Sequence, residues 1–308
     1  MNFKDLVKNA GEQVKSCAAF SVGEIRNICE TIGPRPCGED GEKKAQEHLV
    51  DVLKNFADSV TRETFDVHPE AFMAFVPIAG TCLLGATAAN FGRLITGKKA
   101  FTAASYGLIG TALAGVVGEF ALYKKPLDPL FKKKESGNVI AVRKAEEETK
   151  RRVIVSGHTD SAPEWTYTYK LGSKGVVTVA GYAVAGLLYD LVASGLMAKV
   201  SASAAKKLAL AQLAFLPANI ALYFFTNNKR YVDGASDDLS GSMVASSVLK
   251  FLSDNNIRFK NTEVIALLTG GEEAGLRGAE AFFEAHPEIG KDGVETAFFG
   301  ADKVRGDD

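Results

Sequence analysis

Residues 262–273, TEVIALLTGGEE, carry five consecutive apolar side chains, followed by threonine, two glycines and two adjacent glutamates. An uninterrupted apolar run of this length is typical of a strand that is covered on both faces in a parallel or mixed sheet. Three other segments have a similar composition and are predicted as strands: NVIAVR at 138–143, RRVIVSG at 151–157 and TAFFGAD at 296–302.

Helical periodicity separates the later strands from one another. Residues 239–252 place Met243, Val244 and Val248 on one side of a helix, and residues 275–286 form a second helical pattern. The alternation of strand and helix predicts a three-layer α/β domain with a mixed, mostly parallel sheet.

The N-terminal part, residues 1–70, is predicted as a helical portion of the same domain. Apolar residues recur at helical intervals within 1–57, on both sides of IGPRPCGEDGE at 32–42. The glycines and prolines of that segment indicate a turn between two helices.

Long apolar stretches interrupt the α/β pattern in two places. They predict one hydrophobic helical hairpin at 71–123 and a second at 171–228, leaving 136–170 and 229–308 for the α/β domain. A helix needs about 20 apolar residues to cross a membrane. Two alternatives remain open: hairpins inserted in a membrane, which the long uncharged runs favour, or buried helices of a soluble protein.

Charge composition bears on partners and location. Lys and Arg number 36 and Asp and Glu number 37, so nothing indicates a nucleic-acid partner. The first 20 residues lack the pattern of a secretory signal peptide. A slight excess of Lys and Arg on the side of the α/β domain therefore predicts a membrane protein with that domain in the cytoplasm. The oligomeric state has no signature in the sequence.

Three motifs put acidic or imidazole groups at the carboxyl ends of predicted strands or just before a helix. They are VIVSGHTDS at 153–161, DGASDDLSGSM at 233–243 and LLTGGEEAGLRG at 267–278. Ligands bind at the carboxyl edge of open α/β sheets. Each motif alone also has an ordinary structural explanation, such as a helix cap at Asp237 or Asp238, or glutamates favoured in the first turn of a helix. Together they supply the nitrogen and oxygen ligands typical of catalytic zinc.

These motifs resemble those of the dizinc aminopeptidase family, which includes bacterial leucyl aminopeptidases and resembles glutamate carboxypeptidase. IGPRPCGEDGEKKAQEHL at 32–49 is similar to the N-terminal segment of that family. The resemblance covers roughly residues 20–70 and 136–308 and implies a zinc-exopeptidase fold, with both hydrophobic hairpins outside it.

The resemblance implies a ligand set for two zinc ions. His158 and Asp302 would bind the first zinc, Asp237 would bridge both ions, and Glu273 would bind the second. It also implies that Glu272 is the general base and that Asp160 orients His158. The expected activity is removal of N-terminal residues from peptide substrates by a water activated at two metals.

Two departures from the family pattern bear on this expectation. A hydrophobic hairpin separates His158 from Asp237, which can still meet if the hairpin leaves and re-enters the domain at neighbouring points. The family also supplies a last histidine ligand well after the position of Asp302, whereas this sequence ends at Asp308. We therefore expect a C-terminally truncated chain. The alternatives are a degenerate, non-catalytic peptidase domain on a membrane protein, or another enzyme of the clan, a carboxypeptidase or glutaminyl cyclase.

Overall fold

The computed structural model describes the backbone of residues 3–304 and the side chains of residues 11–304. The chain divides into two compact units. The sheet unit comprises Met1–Pro69, Lys133–Ala162 and Tyr231–Asp308, and the helical unit comprises Glu70–Lys132 and Pro163–Arg230.

The helices and strands have the following bounds in chain order. The α-helices are α1 Phe3–Thr31, α2 Asp40–Leu53, α3 Phe75–Thr96, α4 Ala100–Gly115, α5 Thr166–Leu196, α6 Ala202–Gln212, α7 Leu216–Ala221, α8 Ser240–Asp254 and α9 Arg277–Ala285. The strands are β1 Ser59–Val67, β2 Lys134–Arg143, β3 Arg151–His158, β4 Pro163–Trp165, β5 Thr226–Tyr231, β6 Thr262–Thr269 and β7 Glu295–Gly300.

The sheet unit contains a mixed sheet with strand order β1-β2-β6-β3-β7. Strand β2 is antiparallel to both β1 and β6, whereas β3 is parallel to both β6 and β7. Within the described residues, β2 is therefore the one strand of this sheet that runs against the other four. The predicted mixed, mostly parallel sheet is confirmed.

Two apolar clusters cover opposite faces of this sheet. Val264 and Ala266 of β6 pack with residues of α1, α2 and α8 on one face. Ile265 and Leu267 pack with Phe282 of α9 on the other. Side chains alternate across a strand, so one continuous apolar run supplies both faces. The predicted three-layer arrangement follows directly.

Strand β1 was not predicted. Its sequence, SVTRETFDV, mixes charged residues with half-buried positions, and it pairs with β2 at the edge of the sheet. A strand at a sheet edge keeps much of its surface in solvent, so it lacks the apolar run that identified the central strands.

The helical unit contains four helical segments long and apolar enough to cross a membrane. They are Phe72–Thr96, Ala100–Ala121, Thr166–Leu196 and Ala202–Phe224. Residues 166–170, which the sequence placed in the α/β domain, belong instead to α5, which begins at Thr166. Strands β4 and β5 pair with each other.

Polar side chains lie inside the helical unit, and apolar side chains lie on its surface. Asn90 and Ser105 are fully buried and both form hydrogen bonds with Ser194, at 2.9 and 2.8 Å. Gln212 donates to the buried carboxylate of Asp190 at 2.7 Å. Large apolar residues on the same helices are exposed, among them Ile95, Val177, Leu188, Val192 and Phe224. The same helices also share a buried apolar cluster that includes Leu83, Ala183 and Leu222.

The core of the sheet unit provides a stability test. Leu249 of α8 is fully buried, so Leu249→Ala should lower the free energy of unfolding by about 2–5 kcal/mol. Some backbone amides of β6 exchange with solvent only when the whole protein unfolds. Their exchange rate should then rise by roughly 30-fold or more. The control Val14→Ala, at a side chain that is 62% exposed, should change stability by at most about 0.5 kcal/mol. Equal effects of the two substitutions would contradict this core.

Candidate metal centre

The register of the sheet brings three predicted site segments to one edge. His158, the last residue of β3, lies opposite Thr269 at the end of β6. Ser156 lies opposite Gly300 at the end of β7, and the Ala301 N–H donates to the Ser156 carbonyl at 2.8 Å. Parallel strands that end together deliver His158, the glutamate pair after β6 and Asp302 after β7 to the same place.

The predicted ligands converge at this edge. Single ligand atoms of His158, Asp237 and Glu273 lie within 4.8 Å of one another, and so do those of His158, Asp238 and Asp302. His158 Nε2 lies 3.4 Å from Asp237 Oδ1. All four predicted metal ligands therefore belong to one of two groups that share His158, and Asp238 is an additional member that the sequence reasoning did not assign.

Adjacent aspartates have different surroundings. Asp238 is fully buried, and its carboxylate accepts the His158 N–H at 3.0 Å and the Gly241 N–H at 2.7 Å. It therefore accepts an N–H of the first turn of α8 and ties that helix to β3. A side chain at Gly241 would collide with the Asp238 carboxylate and the Ala301 carbonyl, so only glycine fits there. Asp237 is half-buried and faces His158 Nε2.

Asp160 links the imidazole to the glutamate pair. Its buried carboxylate lies 3.2 Å from His158 Nδ1 and accepts the N–H groups of Glu272 and Glu273, each at 3.0 Å. With Nδ1 engaged, His158 Nε2 is the ring nitrogen directed at Asp237 and, at 3.6 Å, at Glu272. This is the arrangement in which a carboxylate fixes the ring of a metal-binding histidine.

Arg35, in the GPRP turn before α2, holds residues 159–161 by hydrogen bonds. Its guanidinium is fully buried and donates to the carbonyl oxygens of Thr159, Gly33 and Gly234, at 2.8, 2.8 and 3.2 Å. The backbone of Arg35 exchanges two further hydrogen bonds with Ser161. The sequence predicted this turn but gave no indication that its arginine holds the loop after β3.

The concentration of carboxylates shifts their protonation. Burial, followed by repulsion from neighbouring carboxylates, raises the pKa of Glu273 to about 8. Burial also raises the pKa of Glu272 to about 7 and that of Asp238 to about 6. Asp237 behaves differently: burial would raise its pKa, but hydrogen bonds from His158 and Lys303 lower it. The Lys303 ammonium lies 3.1 Å from Asp237 Oδ2, a contact that no sequence motif indicated.

The chemistry of the donor set fits a divalent cation. His158 Nε2 is buried and forms no hydrogen bond with any described residue. Burial would lower the pKa of His158, but the hydrogen bond of its Nδ1 with Asp160 and the nearby carboxylates of Asp237 and Glu272 outweigh it and raise the pKa to about 12. The surrounding carboxylates thus favour positive charge at this nitrogen. One imidazole nitrogen with several carboxylate oxygens is a zinc-type donor set.

The other histidines lie elsewhere in the sheet unit. His48 pairs with Glu24 at 2.7 Å, and His286 pairs with Glu63 at 2.9 Å. In the part of the chain that the structure describes, no group capable of holding a metal contains a histidine other than His158. The expected final histidine ligand thus has no counterpart among residues 11–304.

Sequence comparison agrees with the motifs. Residues 220–299 match the model of peptidase family M28, and this segment contains Asp237, Glu272 and Glu273. The match confirms the resemblance to peptidases of the dizinc aminopeptidase type that the motifs indicated. No curated protein matches the sequence significantly.

Solved structures with a similar fold include two aminopeptidases and a cyclase. The aminopeptidase from Aneurinibacillus sp. strain AM-1 has 15% identity over 93% of this chain and 71% of its own, with a TM-score of 0.47. The zinc aminopeptidase from Bacillus subtilis has 13% identity over 92% and 68%, with a TM-score of 0.47. The glutaminyl cyclase from Fimbriiglobus ruber has 13% identity over 92% and 60%, with a TM-score of 0.45.

The chain therefore spans from 60% to 71% of the length of these structures. At such identities and TM-scores, the likeness does not assign an activity to this chain.

Protons held in the cluster should make metal binding depend on pH. Because the pKa of Glu273 is raised to about 8 and that of His158 to about 12, a divalent cation bound there must displace protons. Zn²⁺ affinity should therefore rise between pH 6 and pH 8, by about tenfold per pH unit for each proton displaced. Calorimetric titration in buffers of different ionisation enthalpy measures both the Zn²⁺ affinity and the number of protons released. Glu273→Gln should weaken binding and release fewer protons, whereas an affinity independent of pH would contradict the assignment.

Proposed function

We propose that this chain, whose residues 220–299 match peptidase family M28, is a zinc-dependent exopeptidase, and specifically an aminopeptidase that removes N-terminal residues from peptides. The observation that carries the proposal is the convergence of His158, Asp237 and Glu273, with Glu272 adjoining them at 3.6 Å from His158 Nε2.

In this proposal, His158, Asp237, Glu273 and Asp302 would hold the zinc. Zinc supplies Lewis acidity, which polarises a peptide carbonyl and makes a water molecule more acidic. Asp160 keeps the imidazole of His158 oriented by engaging its Nδ1. The half-buried state of Asp237 and the exposed state of Asp302 leave this edge accessible to a peptide.

Glu272 acts as the general base in the proposed reaction. Its carboxylate takes a proton from the attacking water and passes it to the leaving amine. Burial raises the pKa of this group to about 7, which suits a base that must accept and release a proton near neutral pH. Its neighbour Glu273 shares the buried loop but belongs to the ligand group with His158 and Asp237.

Substitution of the two glutamates should separate their roles. Glu272→Gln keeps the shape of the side chain and removes the base, so zinc content should be unchanged while turnover falls by about 100- to 10,000-fold. Glu273→Gln should lose zinc as well as activity. Glu284→Gln, an exposed position on α9, is the matched control and should behave like the wild type. Elemental analysis and hydrolysis of aminoacyl anilides provide the two measurements.

Assays of the unaltered protein with other substrates distinguish the rival activities. A chain that binds zinc but acts on C-terminal residues, or cyclises N-terminal glutamine, would be a carboxypeptidase or a glutaminyl cyclase. Failure to bind zinc after reconstitution, with the sheet unit folded, would instead indicate a degenerate domain. Loss of zinc in Glu272→Gln with retention in Glu273→Gln would reverse the two roles.

We further propose that the helical unit is inserted in a lipid bilayer, with the sheet unit on the cytoplasmic side. Its four candidate spans are supported by the buried network of Asn90, Ser105 and Ser194 and by the exposed apolar side chains around it. Polar side chains directed at neighbouring helices and apolar ones directed outwards suit a lipid environment.

Outward-facing lysines test this proposal against a soluble helical unit. Leu188 and Val192 on α5 are 55% and 59% exposed. In a bilayer, Leu188→Lys combined with Val192→Lys should cost up to about 3 kcal/mol per lysine and reduce the carbonate-resistant membrane fraction. In water, the same exposed positions would accept lysine, and the protein would remain soluble. Lys291→Arg in the sheet unit is the control, and recovery of unaltered protein in the carbonate-soluble fraction would refute insertion.

A further inference from the structure

Four consecutive backbone amides fix the loop that carries the glutamate pair. The Gly270 N–H donates to Asn138 Oδ1 at 3.2 Å, and the Gly271 N–H donates to Glu42 Oε1 at 3.0 Å. The amides of Glu272 and Glu273 are both taken by Asp160. Side chains from β2, α2 and the end of β3 thus hold successive peptide groups of one short loop.

Glu42 is the least expected of these partners. It lies in the first turn of α2, in the GEDGE segment that the sequence singled out, and it is 1% exposed. Besides Gly271, its carboxylate accepts the Gly38 N–H at 2.7 Å and the Ser136 hydroxyl at 2.9 Å. Three donors offset part of the cost of burying this group, although burial still raises the pKa of Glu42 to about 8.

Cys37, Glu42 and Asp160 also form a group with ligand atoms within 4.8 Å of one another. A metal there would have to displace amides that already occupy both carboxylates. Burial, followed by repulsion from Glu42 and Asp160, keeps the pKa of the Cys37 thiol well above its usual value, so it is a poor ligand. This group is therefore a hydrogen-bonded anchor.

The loop leaves little space for other conformations. Gly271 has a positive φ of 61°, which favours glycine. A side chain at Gly270 would collide with Ser136 Oγ and with the Gly137 carbonyl. Glycines allow the backbone to come close to β2 and α2, and the side-chain oxygens of Glu42 and Asn138 receive its amides there.

We propose that Glu42 is a positioning residue: by holding the Gly271 amide, it fixes the placement of Glu272 and Glu273 relative to His158. It does not touch the proposed reacting atoms and acts through the backbone. Its consequence for catalysis rests on the proposed function, whereas its effect on the loop does not. A group that must keep its geometry within a few tenths of an ångström requires such support.

Hydrogen exchange of the full-length, metal-free protein tests the anchor directly. In Glu42→Ala, exchange of the 270–273 amides should rise at least tenfold, while amides of 264–268 in β6 keep the wild-type rate. Glu42→Gln retains an acceptor for Gly271 and should restore most of the protection. The matched control is Glu47→Ala, on the same helix at an exposed side chain that pairs only weakly with Lys43, at 4.0 Å.

Two results would overturn the proposal. One is unchanged exchange at 270–273 in Glu42→Ala; the other is equal acceleration at 270–273 and in β6, which would indicate general destabilisation. If zinc binding and hydrolysis are also observed, Glu42→Ala should lower zinc affinity or kcat by about 10- to 100-fold with little change in KM. Altered exchange in a protein that lacks activity would support the anchor while refuting the proposed function, so the two failures can be distinguished.

Discussion

The carboxylate of Asp160 is fully buried, yet it accepts the amides of Glu272 and Glu273 and lies within hydrogen-bond distance of His158 Nδ1. A buried charge with fewer donors would be costly, so these contacts stabilise one another. They join the end of β3 to the loop after β6. Among the described residues, Asp160 is the one side chain that contacts both the imidazole and the amides of the glutamate pair, while Glu42 and Asn138 hold the preceding amides of the same loop. Arg35, which holds the Thr159 carbonyl, supports the segment after β3 and places a positive charge near it.

The same edge of the sheet collects more negative charge than its hydrogen bonds can offset. Burial, followed by repulsion from neighbouring carboxylates, raises the pKa values of Glu272, Glu273 and Asp238, and hydrogen bonding to Asp160 with the nearby carboxylates raises the pKa of His158. A proton on His158 and the ammonium of Lys303 offset part of the negative charge. Because divalent cations would offset it with fewer groups, metal binding and proton release are coupled in this site. Clusters of buried titratable groups with shifted pKa values are common at functional sites, which is consistent with the proposed metal centre.

Local sequence was sufficient to predict the central strands and the four side chains that converge at the sheet edge, but not the contacts that support them. The apolar run of β6 and the motif around His158 each carry their signal within a few residues. Glu42 contacts Gly271 across 229 positions of sequence, and nothing in GEDGE alone indicates that partner. The sequence indicated that Asp238 could bond to the first turn of a helix, and it does accept the Gly241 N–H, but its bond to the His158 amide depends on how α8 packs against β3. Strand β1 escaped prediction because an edge position does not impose an apolar run.

Two insertions form the helical unit, and the positions of their ends explain how His158 and Asp237, which are distant in sequence, can lie close together. The first begins after β1 and ends before β2, and the pairing register places Val67 opposite Lys134. The second begins after Ala162 and ends at Arg230, and the Val232 N–H donates to the Ala162 carbonyl at 3.1 Å. Each insertion thus leaves and re-enters the sheet unit at neighbouring backbone positions, as the proximity of His158 and Asp237 requires. The entropic contribution to the free energy of closing a loop grows only by about 0.6 kcal/mol per doubling of the loop length. A long apolar insertion closed by backbone pairing at its ends therefore need not alter the spacing of His158 and Asp237, which is set by the sheet and by α8.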